Sequence, residues 1–117
     1  MLRLVCVLSV VLACVGADIN IPITHYANGW FQADGCFKVA QELTSWTVTL
    51  TFDQTITFFF APEATLKQTL DNGKVYVLQN KTWNKVQPVG DQLCIRFEGR
   101  GTGASEPVVT GSLQPGS

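Results

Sequence analysis

The chain has 117 residues, with eight basic and nine acidic side chains, a single histidine and a formal net charge of −1. A balance this close to neutral carries no electrostatic footprint for nucleic acid or for an anionic membrane surface. The length suits one domain around one core and leaves none for a second.

In chain order, Met1-Leu-Arg3 supplies a positive start, residues 4–15 form an almost unbroken apolar run, and Val15-Gly-Ala17 offers small residues for cleavage. This pattern predicts a secretory signal peptide over residues 1–17. The run is short for a membrane span, so the mature protein, residues 18–117, is expected to be extracellular, free of the membrane and monomeric. The apolar leader also accounts for much of the positive mean hydropathy. Cys6 and Cys14 fall in the leader and leave Cys36 and Cys94. An even pair in a secreted domain predicts one disulfide.

Residues 18–22 read as a loose lead-in. Phe37 and Val39 alternate with Cys36 and Lys38, which sends Cys36 away from the core. Residues 45–52 alternate cleanly, with Trp46, Val48, Leu50 and Phe52 on one face and small hydroxyls on the other. That is the pattern of a half-buried antiparallel strand with Trp46 in the core. Asp53 and Gln54 turn the chain into a strand over 55–60, which Ala61 and Pro62 end. Segments 65–70 and 74–78 flank Asp71-Asn-Gly73, a strong hairpin signal.

Next comes Trp83, on the polar connection Asn80-Lys-Thr-Trp-Asn-Lys85, with a turn at Pro88-Val-Gly90 behind it. Its neighbours do not alternate as strand partners would, so the indole is expected on the surface, where exposed aromatics mark binding. In residues 92–97, Leu93, Ile95 and Phe97 point inward and Cys94 outward. Residues 99–103, rich in glycine, read as a flexible loop before a last strand over 108–113. No window carries a helical period. The expected fold is therefore all-β, an antiparallel β-sandwich of immunoglobulin-like or jelly-roll-like type with seven to nine short strands.

Catalytic chemistry is hard to assemble from these residues. His25, the only histidine, has no recognisable nucleophile beside it, and a copper site built on an N-terminal histidine would need a second one. Two cysteines and one histidine fall one ligand short of a closed tetrahedral zinc set. The acids are scattered singly, without the paired cleft of a glycosidase. Gly99-x-Gly101-x-Gly103 precedes no helix that could hold a phosphate. The expectation is a binding module with no metal and no cofactor.

Several segments, in order, then resemble one family. Ser45-Trp-Thr-Val-Thr-Leu-Thr-Phe52, Asn80-Lys-Thr-Trp-Asn84 with Pro88-Val-Gly90, Ile95-Arg-Phe-Glu-Gly99 running into Gly101-Thr-Gly103-Ala, and Pro107 with the last strand resemble the family 2 carbohydrate-binding modules, the bacterial-type cellulose-binding domains. The resemblance spans roughly residues 25–113. It implies a flat strip of three exposed aromatics as the ligand surface. Trp83 matches the third position, with Asn84 after it as a further carbohydrate-binding residue, and Tyr26 the first. Phe60 matches the second in preference to Phe59, while Trp30 takes the place of a framework aromatic. Gly29, near the first aromatic, implies a flat crystalline ligand, cellulose or the equally flat chitin.

Family members commonly join their chain ends with a disulfide. Here the two cysteines lie inside the domain, so a Cys36–Cys94 bond would instead link internal strands. Asn80-Lys81-Thr82 is an N-glycosylation sequon three residues before the candidate anchor. The expected function is non-catalytic binding of an insoluble β-1,4-linked polysaccharide. The alternative is a secreted interaction or adhesion sandwich that has lost sugar binding.

Overall fold

The computed structural model describes residues 18–116. The signal peptide expected over residues 1–17, with Cys6 and Cys14, lies outside the described residues.

Among the described residues, nine strands form two antiparallel sheets: β1 (Ile19–Ile21), β2 (Ile23–Ala27), β3 (Trp30–Lys38), β4 (Trp46–Phe52), β5 (Ile56–Phe60), β6 (Ala64–Leu70), β7 (Val75–Asn80), β8 (Gln92–Gly101) and β9 (Val109–Pro115). One sheet has the order β1-β9-β4-β7-β6 and the other β2-β3-β8-β5. This is the antiparallel all-β sandwich that the period-two alternation predicts.

Alternation decides which face of each strand is buried. On β4, Trp46, Val48, Leu50 and Phe52 are buried, and on β8, Leu93, Ile95 and Phe97 meet them from the opposite sheet. Phe52 lies edge-on to Phe97 and to Tyr76, with ring centroids 6.1 and 5.8 Å apart. Offset and edge-on arrangements of this kind add to the area term in a packed core. Tyr76 satisfies its hydroxyl by donating to the Ile56 carbonyl, and burial pushes its pKa above the ordinary 10.0.

The hairpin expected at Asp71-Asn-Gly73 joins β6 to β7, with all three residues at positive φ. On edge strand β6 a bulge at Lys67 interrupts the register between Leu66 and Gln68, a device that blunts pairing with other chains.

Two expectations are corrected. Residues 18–22 are not a loose lead-in, because β1 pairs with β9 and buries Ile21 in space left by Gly35 and Gly111. Three residues are too few for the sequence pattern to register, and the pairing is supplied by the tertiary fold. Nor is the glycine-rich segment 99–103 a loop throughout, since β8 continues to Gly101. A Cβ on Gly99 would collide with the Phe58 carbonyl, so the glycine is there for the close passage of β5.

Cys36 and Cys94 are direct register partners on β3 and β8, with Cα atoms 4.0 Å apart, and they form a disulfide on the outer face of the four-stranded sheet. The alternation places both sulfur atoms there, as expected.

Candidate functional site

The outer face of the four-stranded sheet is organised in rows set by strand register. One row runs Ala27, Trp30, Arg100, Phe58 across β2, β3, β8 and β5; the next runs His25, Gln32, Glu98, Phe60. Trp30, Phe58 and Phe60 are 46%, 48% and 50% exposed, a large apolar area for neighbouring positions. The Trp30 and Phe58 rings meet over the Arg100 stem with centroids 5.6 Å apart at 64°, and the guanidinium carbon lies 5.1 Å from the indole centroid. Arg100 therefore holds the indole by a cation–π contact.

The two-residue turn Asn28-Gly29 explains why Trp30 faces outward. Both residues have positive φ, 52° and 88°, as a tight hairpin turn needs, and the turn fixes Ala27 opposite Trp30. Trp30 then shares the outward parity of Gln32, Asp34 and Cys36, whereas Phe31 is buried. Tyr26, opposite Phe31, takes the other parity at the sheet edge and is 37% exposed. Gly29 has the positive φ that the turn needs, which by itself accounts for a glycine here.

Adjacent rings on β5 divide in the same way. Phe60 faces out, while Phe59 turns inward and stacks on Tyr76 with centroids 4.3 Å apart.

Trp83, at 68%, is the most exposed large apolar side chain among the described residues. The connection that carries it, residues 81–91, is held at several points. The Trp46 indole N–H donates to the Asn84 carbonyl at 2.8 Å, and Gln87 Nε2 donates to the same oxygen. Asn84 Oδ1 accepts from the Lys81 N–H, and its Nδ2 donates to the Glu63 carbonyl at 2.7 Å. Glu63 in turn accepts from the Arg96 N–H through Oε1. Leu43 and Gln87 exchange two backbone bonds behind the connection. The core indole and the Asn84 carboxamide thus hold the segment from which Trp83 projects. Both polar ends of the Asn84 side chain are engaged within the protein.

Asn80, at the end of β7, is half-buried. Its Oδ1 accepts from the Trp46 N–H and its Nδ2 donates to the Lys81 carbonyl.

The four-stranded face thus brings Phe60 together with Trp30 and Phe58. Trp83 stands on the neighbouring connection, and Glu63, three residues after Phe60, links the two. Tyr26 lies at the β2 edge beside Trp30. Phe58 and an outward Trp30 are the exposed rings that sequence reasoning missed. The signal was available: the alternation that turns Cys36 outward runs back through Asp34 and Gln32 to Trp30. Among the described residues no three His, Cys, Asp or Glu side chains cluster as metal ligands would.

No family model matches the chain, and no curated protein matches it. Solved structures share its fold. One is the chitin-binding domain of Chi18aC from Streptomyces coelicolor, 24% identical, with a TM-score of 0.55 over 86% of this chain and 93% of that one. Another is chitinase ChiA74 from Bacillus thuringiensis, 18% identical, with a TM-score of 0.57 over 76% of this chain. The chain spans only 14% of that enzyme's length. At these identities the likeness is one of fold, and the fold is the same antiparallel sandwich.

Proposed function

We propose that this domain is a secreted, non-catalytic module that binds an insoluble β-1,4-linked polysaccharide, chitin or cellulose. One observation carries the reading: Trp83, Phe60, Phe58 and Trp30 stand exposed on one sheet face and its adjoining connection, and a flat apolar ligand suits them. Two further facts support it, the fold shared with a domain described as chitin-binding and the motif resemblance to family 2 carbohydrate-binding modules. The exposed disulfide supports an extracellular setting.

Sugar rings in a packed polysaccharide present axial C–H groups as a weakly apolar face that an aromatic ring can cover. If each ring removes ~100 Å² of apolar area from water, it contributes about 2.5 kcal/mol at roughly 25 cal/mol per Å². Three rings, less the several kcal/mol that association costs, leave affinity in about the millimolar to micromolar range. In this reading Trp83 and Phe60 are the anchor rings, Phe58 and Trp30 extend them across the sheet face, Tyr26 stands on the other parity at its β2 edge, and Asn84 positions Trp83 without touching sugar.

The test is retention on microcrystalline cellulose and on chitin, comparing the native chain with Trp83→Ala. The native chain is retained, and the variant's affinity falls about tenfold or more, since one covered ring is a large share of a weak interaction. No retention on either solid, or equal retention of the variant, returns the domain to the alternative of an interaction or adhesion sandwich. Matched Tyr26→Ala and Trp30→Ala variants identify which ring at the β2 edge meets the ligand.

A further inference from the structure

A shallow depression opens at the β2 edge of the four-stranded sheet, beside the aromatic row, with His25, Tyr26, Trp30, Gln32 and Glu98 among its walls. It combines two ring surfaces with polar groups that have no evident internal task. Gln32 and Glu98 are half-buried register partners, and among the described residues neither side chain makes a hydrogen bond or an ion pair within the protein. The two arginines that flank Glu98 along β8 are both committed elsewhere: Arg96 lies 3.5 Å from Asp34 and Arg100 stacks on Trp30. A half-buried carboxylate next to a half-buried carboxamide, both lacking partners, normally finds them in water or in a ligand. Apolar walls with a few convergent polar groups are what a small-ligand site needs.

We infer that this depression is a subsite for the acetamido group of an N-acetylhexosamine unit, and that it makes chitin rather than cellulose the preferred ligand. The inference rests on the polysaccharide reading above and deepens it. An acetamido group offers one N–H, one carbonyl and one methyl. The Glu98 carboxylate accepts from the N–H, the Gln32 carboxamide donates to the carbonyl, and the Trp30 ring covers the methyl. The hydroxyl at the same place in a plain glucan satisfies the carboxylate at most. One small oxygen lacks the reach to meet the carboxylate and the carboxamide together and has no methyl for the ring, and a polar site left partly unmatched discriminates strongly. The subsite adds selectivity to a surface whose stacking rings, taken alone, treat any flat β-1,4-linked chain alike.

The experiment measures binding isotherms of the native chain, Glu98→Ala, Gln32→Ala and Trp83→Ala on chitin, on its deacetylated form and on microcrystalline cellulose. Thermal unfolding checks that each outward-facing substitution leaves the fold intact, and Glu98→Gln, which keeps an acceptor oxygen, serves as the conservative variant. Glu98→Ala and Gln32→Ala each lower affinity for chitin about tenfold, as loss of one hydrogen bond to a charged or amide partner does, and leave cellulose binding unchanged. Glu98→Gln recovers part of the loss, and Trp83→Ala weakens binding to both solids. Equal losses on chitin and cellulose, no loss on chitin, or tighter binding to the deacetylated form overturns the subsite while the polysaccharide reading stands. Absence of native-chain retention on every solid overturns both.

Discussion

On the outer face of the five-stranded sheet, Thr47, Thr49 and Thr51 of β4 stand opposite Gln114, Ser112 and Thr110 of β9, with Gln79, Val77 and Val75 of β7 on the other side. On the four-stranded sheet the outward positions carry Trp30, Phe58, Phe60, an arginine–indole stack and a disulfide. The two faces share one core and one strand geometry, and they differ in what they present to water. β-Branched hydroxyl side chains favour the pleated backbone and stay hydrated, so the threonine face is complete as it stands. Exposed rings favour strands too, but they leave apolar area uncovered, as large exposed apolar patches at binding surfaces do. The lesson is that strand patterning alone builds both layers equally well, and only the outward residues tell them apart.

Three experiments strain that contrast, from the largest expected effect to the smallest. The disulfide on the aromatic side closes a separation of 58 residues, so replacing both cysteines with alanine lowers unfolding stability by about 4 kcal/mol in the chain-entropy account. Denaturant unfolding of the double variant measures it; a change below about 1 kcal/mol would mean that residual structure already restricts the unfolded chain and the cross-link removes little further entropy. Phe59 and Phe60 offer a matched pair on one strand. Phe59→Ala removes a ring stacked on Tyr76 and costs about 3 kcal/mol of stability, whereas Phe60→Ala leaves stability within about 0.5 kcal/mol and weakens polysaccharide retention. Reversed behaviour of the two would erase the assignment of inner and outer faces on β5. Finally, Thr49→Ala in the middle of the threonine face changes stability by no more than about 0.5 kcal/mol and leaves retention as it was. A measurable loss of retention there would give the ligand a second face.

Much of the sandwich was legible because burial imposes period two, and residues 46–52 and 93–97 display that period without interruption. The disulfide was legible for the same reason, since parity sends both Cys36 and Cys94 outward and pairing follows once β3 and β8 are neighbours. β1 escaped notice because three residues carry no period, and Ile21 is held by glycines from two distant strands. The end of β8 was misread because glycine, a loop signal locally, here clears the way for the passing backbone of β5.

For the site, Trp83 announced itself by its polar setting, while Trp30 required one more step. Asn28-Gly29 had to be taken as a two-residue hairpin turn, which fixes parity for everything after it. Phe58 was hidden in Phe58-Phe-Phe60, where only the register with Arg100 and Glu98 separates outward rings from the inward one. Asn84 shows the reverse case. Its place beside the anchor suggested ligand contact, but its carboxamide is engaged by Lys81 and Glu63.

Glu63 joins three parts of the molecule: its carbonyl takes the Asn84 side chain from the Trp83 connection, and its carboxylate takes the Arg96 N–H of β8. Phe60 is only three residues away on the same chain. The backbone segments that carry Phe60 and Trp83 are therefore tied to one common point. A flat crystalline surface tolerates little misalignment between the rings it meets. Because the tie through Glu63 is made when the chain folds, the ordering entropy of these segments is lost then and not at a later docking. A polysaccharide of the proposed kind would meet these two segments already held.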